Sequence, residues 1–207
     1  MLDLKALTLL QKRIIFTVGL VGVAAIVLAL TNPFAGETEV MTEDGAMVML
    51  GAAENTNLGG GAYEVGTDVG DAAPNFTLAN AAGEVVSLEE FVGEKAVIVN
   101  FWASWCTFCL EEMPDLEAVG REFSDDLVIL GINNQETPQQ GEPFALARGV
   151  TYPLLYLPRD DQIVKAYQVL AMPTTYYLDV DGIIVDRKLG FDAREEIRRR
   201  ALLAIEN

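Results

Sequence analysis

The sequence predicts an α/β domain with a central mixed β-sheet and helices on both faces, carried behind an apolar N-terminal segment. Three observations predict it. Ala96–Trp102 (AVIVNFW) is an unbroken apolar run, the composition of a strand buried on both faces of a parallel sheet. Leu110, Met113, Leu116, Val119 and Phe123 follow at the spacing of one helical stripe. Two strand pairs are marked by turn residues: Ala82-Gly83 between Phe76–Leu78 and Val85–Ser87, and Asp181-Gly182 between Thr174–Leu178 and Ile183–Arg187.

Residues 1–31 come first. Ile14–Leu30 holds no charge and, at 17 residues, reaches the lower limit for a spanning helix. Lys5, Lys12 and Arg13 precede it, and no Lys or Arg follows before Lys95. This one-sided flank predicts a single-pass anchor at the cell membrane, with the N-terminus inside and the remainder on the extracytoplasmic face. A cleaved signal peptide is the rival, disfavoured because no clean A-x-A follows the run. Residues 32–69 are acidic and rich in glycine, the composition of a flexible tether. Within it, Asp44-Gly45 is placed to close a short hairpin. Met41, Met47 and Met49 cluster there; a Cu(I) site is one reading and gap-filling apolar contacts the simpler one.

The domain proper is expected over residues 70–207. After the first strand and helix come a strand at Leu127–Ile132, a helix at Pro143–Arg148, an extended Tyr152–Leu157 and a short helix at Gln162–Tyr167. The last helix is expected to start at Asp192, capped with Glu195, and to carry Ile197, Leu202 and Ile205.

Composition excludes whole classes of function. The net charge of −17 disfavours nucleic acid and anionic lipid as partners. The chain has no histidine, which removes His-based catalysis, imidazole metal sites and His-ligated haem. Its two cysteines, Cys106 and Cys109, are spaced C-x-x-C. A disulfide scaffold or a tetrahedral zinc site needs more ligands, and c-type haem attachment needs a His where Leu110 stands. A redox pair remains, with no cofactor beyond its own disulfide.

Cys106 falls where a strand ends and a helix begins. Unpaired N–H groups and the positive end of the helix dipole meet there, and both favour a thiolate. C-x-x-C thiols so placed have pKa values lowered from ~8.5 to about 3.5–7.5. Cys109, one turn on, is the natural resolving thiol.

These residues belong to longer motifs. Ala73-Pro74-Asn75-Phe76-Thr77-Leu78, the run Asn100 to Pro114 (NFWASWCTFCLEEMP), and Pro173-Thr174-Thr175 followed by Asp179-Val180-Asp181-Gly182 resemble the TlpA/ResA-like branch of the thioredoxin superfamily across residues 70–207. The resemblance implies a thioredoxin-like fold and an extracytoplasmic thiol–disulfide oxidoreductase. Cys106 would attack, Cys109 would resolve, Trp105 would cover the disulfide, and Pro173 would face it in the cis form. Met172, Thr174 and Trp102 would line the surface that meets substrate. Implied partners are proteins with cysteine pairs, as in cytochrome c maturation, and a membrane electron donor of the thiol-reducing type.

Asn100 stands in the strand where many cytoplasmic thioredoxins carry a buried Asp, and Asn takes up no proton. Glu112, three residues beyond Cys109 on the same helical face, matches a functional glutamate of ResA-like proteins and is the candidate base. A solvated surface acid, like Glu111, is its alternative. Thr107-Phe108 departs from the family, which commonly has proline second. The dipeptide carries no charge, and Glu111 and Glu112 oppose a thiolate, so a reductant is expected rather than a strong oxidant. A peroxiredoxin is disfavoured, since no P-x-x-x-T-x-x-C precedes Cys106. The alternative from another class is a tethered binding module or metal carrier without turnover, but the related copper carriers use C-x-x-x-C and a distant His.

Overall fold

A computed structural model of the protein describes residues 38–41, 47–50, 63–157 and 162–207. The run 14–30 and most of the expected tether lie outside these residues. Among the described residues, no helix is long and apolar enough to cross a membrane. Strands β1 (Thr38–Met41) and β2 (Met47–Leu50) pair antiparallel, Met41 opposite Met47; the expected Asp44-Gly45 turn itself lies outside the described residues. The side chains of Met41, Met47 and Met49, and with them the Cu(I) reading, lie outside the described residues.

The main sheet begins with β3 (Thr77–Asn80) and β4 (Val85–Ser87), the predicted hairpin, followed by a 3-10 turn at Leu88–Glu90. Then come β5 (Ala96–Trp102), α1 (Thr107–Glu122), β6 (Leu127–Asn133), α2 (Pro138–Leu146) and β7 (Leu154–Tyr156). The chain ends with α3 (Gln162–Ala166), β8 (Thr174–Leu178), β9 (Ile184–Leu189) and α4 (Arg194–Glu206). The strand order is β4-β3-β7-β6-β5-β8-β9. The centre is parallel, with β5 beside β6 and β6 beside β7, and the outer pairs are antiparallel.

All seven residues of β5 are buried, as its composition predicts. Side chains alternate across a strand. Val97, Val99 and Phe101 therefore join one core, with Tyr167 and Tyr176. Ala96 and Ile98 join another, with Leu116 and Val119 of α1 and Ile197, Ala201 and Ala204 of α4. Asn100 has the same parity as Ile98, so it faces α1. This places a polar side chain under the helix that carries the cysteines.

Two details fix α1. At Gly120, an added Cβ would lie 2.9 Å from Ile129 Cδ1, so glycine lets the helix close on β6. Pro114, inside the helix, cannot donate to the Leu110 carbonyl four residues back. Arg148 fills the gap, its Nε donating to Leu110 O at 2.9 Å while Nη1 donates to Phe144 O at the end of α2. The missing helical bond is thereby replaced by a tertiary one.

Three expectations shift. α2 begins at Pro138 rather than Pro143, because Thr137 and Gln140 form a capping box there. α4 begins at Arg194 with Ala193 as N-cap, since the Asp192 carboxylate binds Arg200 instead of the helix end. Contacts with the domain extend to residues before Gly70: Ala72 N donates to Glu64 O at 2.9 Å, and Arg187 Nη1 reaches Thr67 O at 3.4 Å.

Candidate active site

β5 ends at Trp102, between β6 and β8, and the chain leaves the sheet through Ala103-Ser104-Trp105. Glu136, on the connection after β6, holds this loop. Its carboxylate accepts from Ser104 N at 2.7 Å, from the Ser104 hydroxyl at 2.5 Å and from Asn133 Nδ2 at 2.9 Å. The direction in which the chain enters α1 is set by these bonds.

Cys106 is the N-cap of α1, extended at φ −89° and ψ 98°, and its Sγ accepts the Cys109 N–H at 3.2 Å. Cys106 and Cys109 are joined in a disulfide with Cα atoms 5.3 Å apart. No acidic residue stands in the first turn of α1. The positive end of the helix therefore faces the sulfurs with no acid in its first turn, and Glu111 and Glu112 oppose it only from the next. Cys106 keeps 7% of its surface exposed and Cys109 none. Of the two cysteines, only Cys106 keeps any surface that a partner could reach.

The Met172–Pro173 bond is cis. Pro173 is buried and its carbonyl accepts from Gly190 N at 2.7 Å, while Met172 is half-buried against the cluster that holds both cysteines. Trp105 and Phe108 are 68% and 59% exposed, and Phe108 packs against exposed Phe191 with ring centroids 6.3 Å apart. Large apolar side chains left in water beside a reactive bond mark a contact surface.

Under the disulfide, Glu112 is buried with Cys109, Met113 and Leu116 on the inner stripe of α1, whereas Glu111 faces solvent. Oε1 of Glu112 accepts from Asn100 Nδ2 at 2.8 Å, and Oε2 from Asp192 N at 3.3 Å. Asn100 Nδ2 also donates to Thr175 Oγ1 at 2.9 Å, and Asn100 Oδ1 has no hydrogen-bond partner among the described residues. Burial pushes the Glu112 carboxyl up to about 7, against the opposing pull of its two donors. A carboxyl poised there exchanges protons near neutral pH.

Of the residues expected from sequence, Cys106, Cys109 and Glu112 lie on one turn and a half of α1, with Met172 of the cis-proline loop packed against the cysteine cluster. Two expectations about substrate contact are corrected. Trp102 is fully buried, because its parity turns it into the core with Met113 and Leu154. Thr174 is 1% exposed, its hydroxyl donates to Ala171 O at 2.6 Å, and its backbone lies between β5 and β9. Sequence reasoning missed Glu136, Phe191, Asp192 and Arg200 as site residues. Each reaches the site from a distant segment, and only Asp192 carried a local signal, that of a helix cap.

A disulfide at a helix N-terminus on this sheet defines a class, the thiol–disulfide oxidoreductases of thioredoxin fold, and relatives in sequence and structure agree. Residues 69–187 match the AhpC/TSA family, and the chain belongs to it. It is 36% identical over 141 residues to the thioredoxin-like protein YneN of Bacillus subtilis, covering 66% of this chain and 81% of that one. It is 35% identical over 132 residues to the thiol-disulfide oxidoreductase ResA of Geobacillus kaustophilus, covering 63% and 75%. A crystal structure from Chlorobium tepidum, assigned as a thiol:disulfide interchange protein DsbE, superposes with a TM-score of 0.61 at 26% identity, covering 67% of this chain and 98% of that one.

Proposed function

We propose that this oxidoreductase reduces disulfides of protein substrates on the extracytoplasmic face of a cell membrane, to which residues 14–30 anchor it. The asymmetry of the pair carries the reading: Cys106 keeps 7% of its surface exposed and Cys109 keeps none. In the reduced protein, the Cys106 thiolate attacks a substrate disulfide and expels one substrate sulfur, which takes up a proton. Cys109 then passes its proton to Glu112 and attacks Cys106 Sγ. The bond to substrate breaks, the second substrate sulfur leaves as a thiolate and takes up the proton that Glu112 or solvent returns, and the Cys106–Cys109 disulfide forms. Two electrons have moved to substrate, and a thiol-reducing membrane donor returns them. Met172, Pro173 and Trp105 present the face on which an extended substrate segment lies. Cysteine pairs of proteins undergoing cytochrome c maturation are the substrate class the ResA resemblance favours.

The test is a trap. Cys109→Ser cannot resolve the mixed disulfide, so full-length protein carrying it accumulates substrate on Cys106, and adding Cys106→Ser abolishes the adducts. An absence of adducts sinks the reading. Equilibration of the wild type with glutathione tests the direction, and a potential near the ~−120 mV of DsbA refutes a reductant. A reporter active only outside the cytoplasm, fused after Asn207, tests the topology; a silent reporter refutes it.

A further inference from the structure

The connection from β9 to α4 touches the site at three points. Gly190 N donates to Pro173 O at 2.7 Å, the Phe191 ring packs on Phe108, and Asp192 N donates to Glu112 Oε2 at 3.3 Å. Arg200 holds this connection from two turns along α4. Its Nε donates to Asp192 Oδ2 at 3.0 Å and its Nη1 to Asp186 Oδ2 on β9. The Arg200 and Asp192 side chains are only 15% and 8% exposed. Two carboxylates, Asp192 and Glu112, are thus buried side by side, and the guanidinium meets one of them.

We propose that Arg200, acting through Asp192, is a positioning residue for Glu112: its clamp aims the Asp192 N–H at the Glu112 carboxylate and offsets the Asp192 charge beside it. The functional meaning rests on Glu112 as proton acceptor; the clamp itself is read from the titration of Glu112. Several groups face that carboxyl. Asn100 from β5 and Asp192 N–H favour its charged form, as does Lys188 from β9, while the Asp192 charge opposes it. Tyr177 from β8 and Tyr152 ahead of β7 lie within its field. Burial keeps both tyrosines neutral, so neither adds charge at neutral pH. On its own helix its neighbours are Cys109 and Cys106.

The two halves of the clamp therefore act on Glu112 with opposite sign. Asp192→Asn keeps an amide oxygen that still accepts from Arg200, and with it the backbone donor, and deletes the opposing charge, so Glu112 releases its proton about one pH unit lower. Arg200→Gln leaves the Asp192 charge uncompensated and its backbone unclamped, so release moves about one unit higher. Arg200→Lys keeps a positive charge and stays nearer the wild type. Loosened packing would admit water in either variant and move both in one direction.

Glu112 can be followed by infrared titration of the full chain with its disulfide closed. Ordinary carboxyls finish titrating well below neutrality, and the remaining band is assigned by its loss in Glu112→Gln. Opposite shifts for Asp192→Asn and Arg200→Gln are expected, with the pH profile of mixed-disulfide resolution moving likewise. Shifts of one sign, or none, overturn the clamp. If Arg200→Gln fails to fold, near-isosteric Asp192→Asn decides alone, and an unmoved band overturns the proposal. Opposite band shifts with an unmoved resolution profile uphold the clamp and remove Glu112 from the proton transfer, so the two failures are distinct.

Discussion

Within α1 two glutamates five residues apart are buried, Glu112 and Glu117, and the two titrate in opposite directions. Glu112 is 1% exposed and Glu117 8%. Burial raises the pKa of both carboxyls, and the donors around each decide the outcome. Glu117 accepts from Thr151 N at 2.7 Å, from Thr151 Oγ1 at 2.6 Å and from Arg121 Nε at 2.5 Å, and these bonds hold it below the usual range. Glu112 has a neutral amide and one long backbone bond, and burial prevails. The lesson is that one residue type on one helix serves as a staple where its donors are complete and as a proton exchanger where they are not.

The pH dependence follows with opposite signs. Glu112, raised from 4.5 to about 7, contributes stability that is full below its ordinary value and is lost as pH climbs through 7. Glu117, lowered, contributes stability present above its ordinary value and lost as pH falls through its folded one.

Removing the exchanger breaks the comparison at its functional end. Glu112→Gln should slow release of substrate from the mixed disulfide by about 100-fold near neutrality. Stopped-flow detection of the released thiol measures it, and a wild-type rate reduces Glu112 to a buried bystander. Removing the staple should cost stability instead. Glu117→Ala deletes the bonds to Thr151 and Arg121, whose donors solvent can then satisfy, lowering the unfolding free energy by about 1–2 kcal/mol in urea titrations while the potential against glutathione stays put. A displaced potential would show that the two glutamates are coupled. The same Glu112→Gln protein should be more stable than wild type at pH 8 by about 1–2 kcal/mol, with the gain vanishing toward pH 4. A gain independent of pH would mean that packing, not charge, produces it. The smallest effect sharpens the contrast between faces: Glu111→Gln, on the exposed side, should change stability by less than about 0.5 kcal/mol and leave thiol release unaltered.

The buried position of Glu112 was legible because positions three apart share a helical face, and Cys109 marks the inner one. The partners of Glu117 were not, since Thr151 lies 34 residues on. Asp192 shows the same boundary from the other side. Local spacing to Glu195 promised a helix cap, but Arg200 offered its carboxylate a charged partner, and a part-buried ion pair outcompetes a neutral cap bond. Trp102 failed as a contact residue because the end of a motif does not tell which face of the sheet a side chain takes.

What the residues determined on their own were the quantities set by short periods. These are the strand of β5, the helical stripe of α1, the Gly-marked hairpins and a C-x-x-C pair at a helix start, where backbone geometry repeats every two or 3.6 residues. Tertiary structure alone decided which donors meet which carboxylates, because those bonds join β5 and the β9–α4 connection to α1 at separations of 12 and 80 residues. Strand register and helix docking, not local pattern, bring Asn100 and Asp192 onto Glu112 and thereby give the site its proton chemistry.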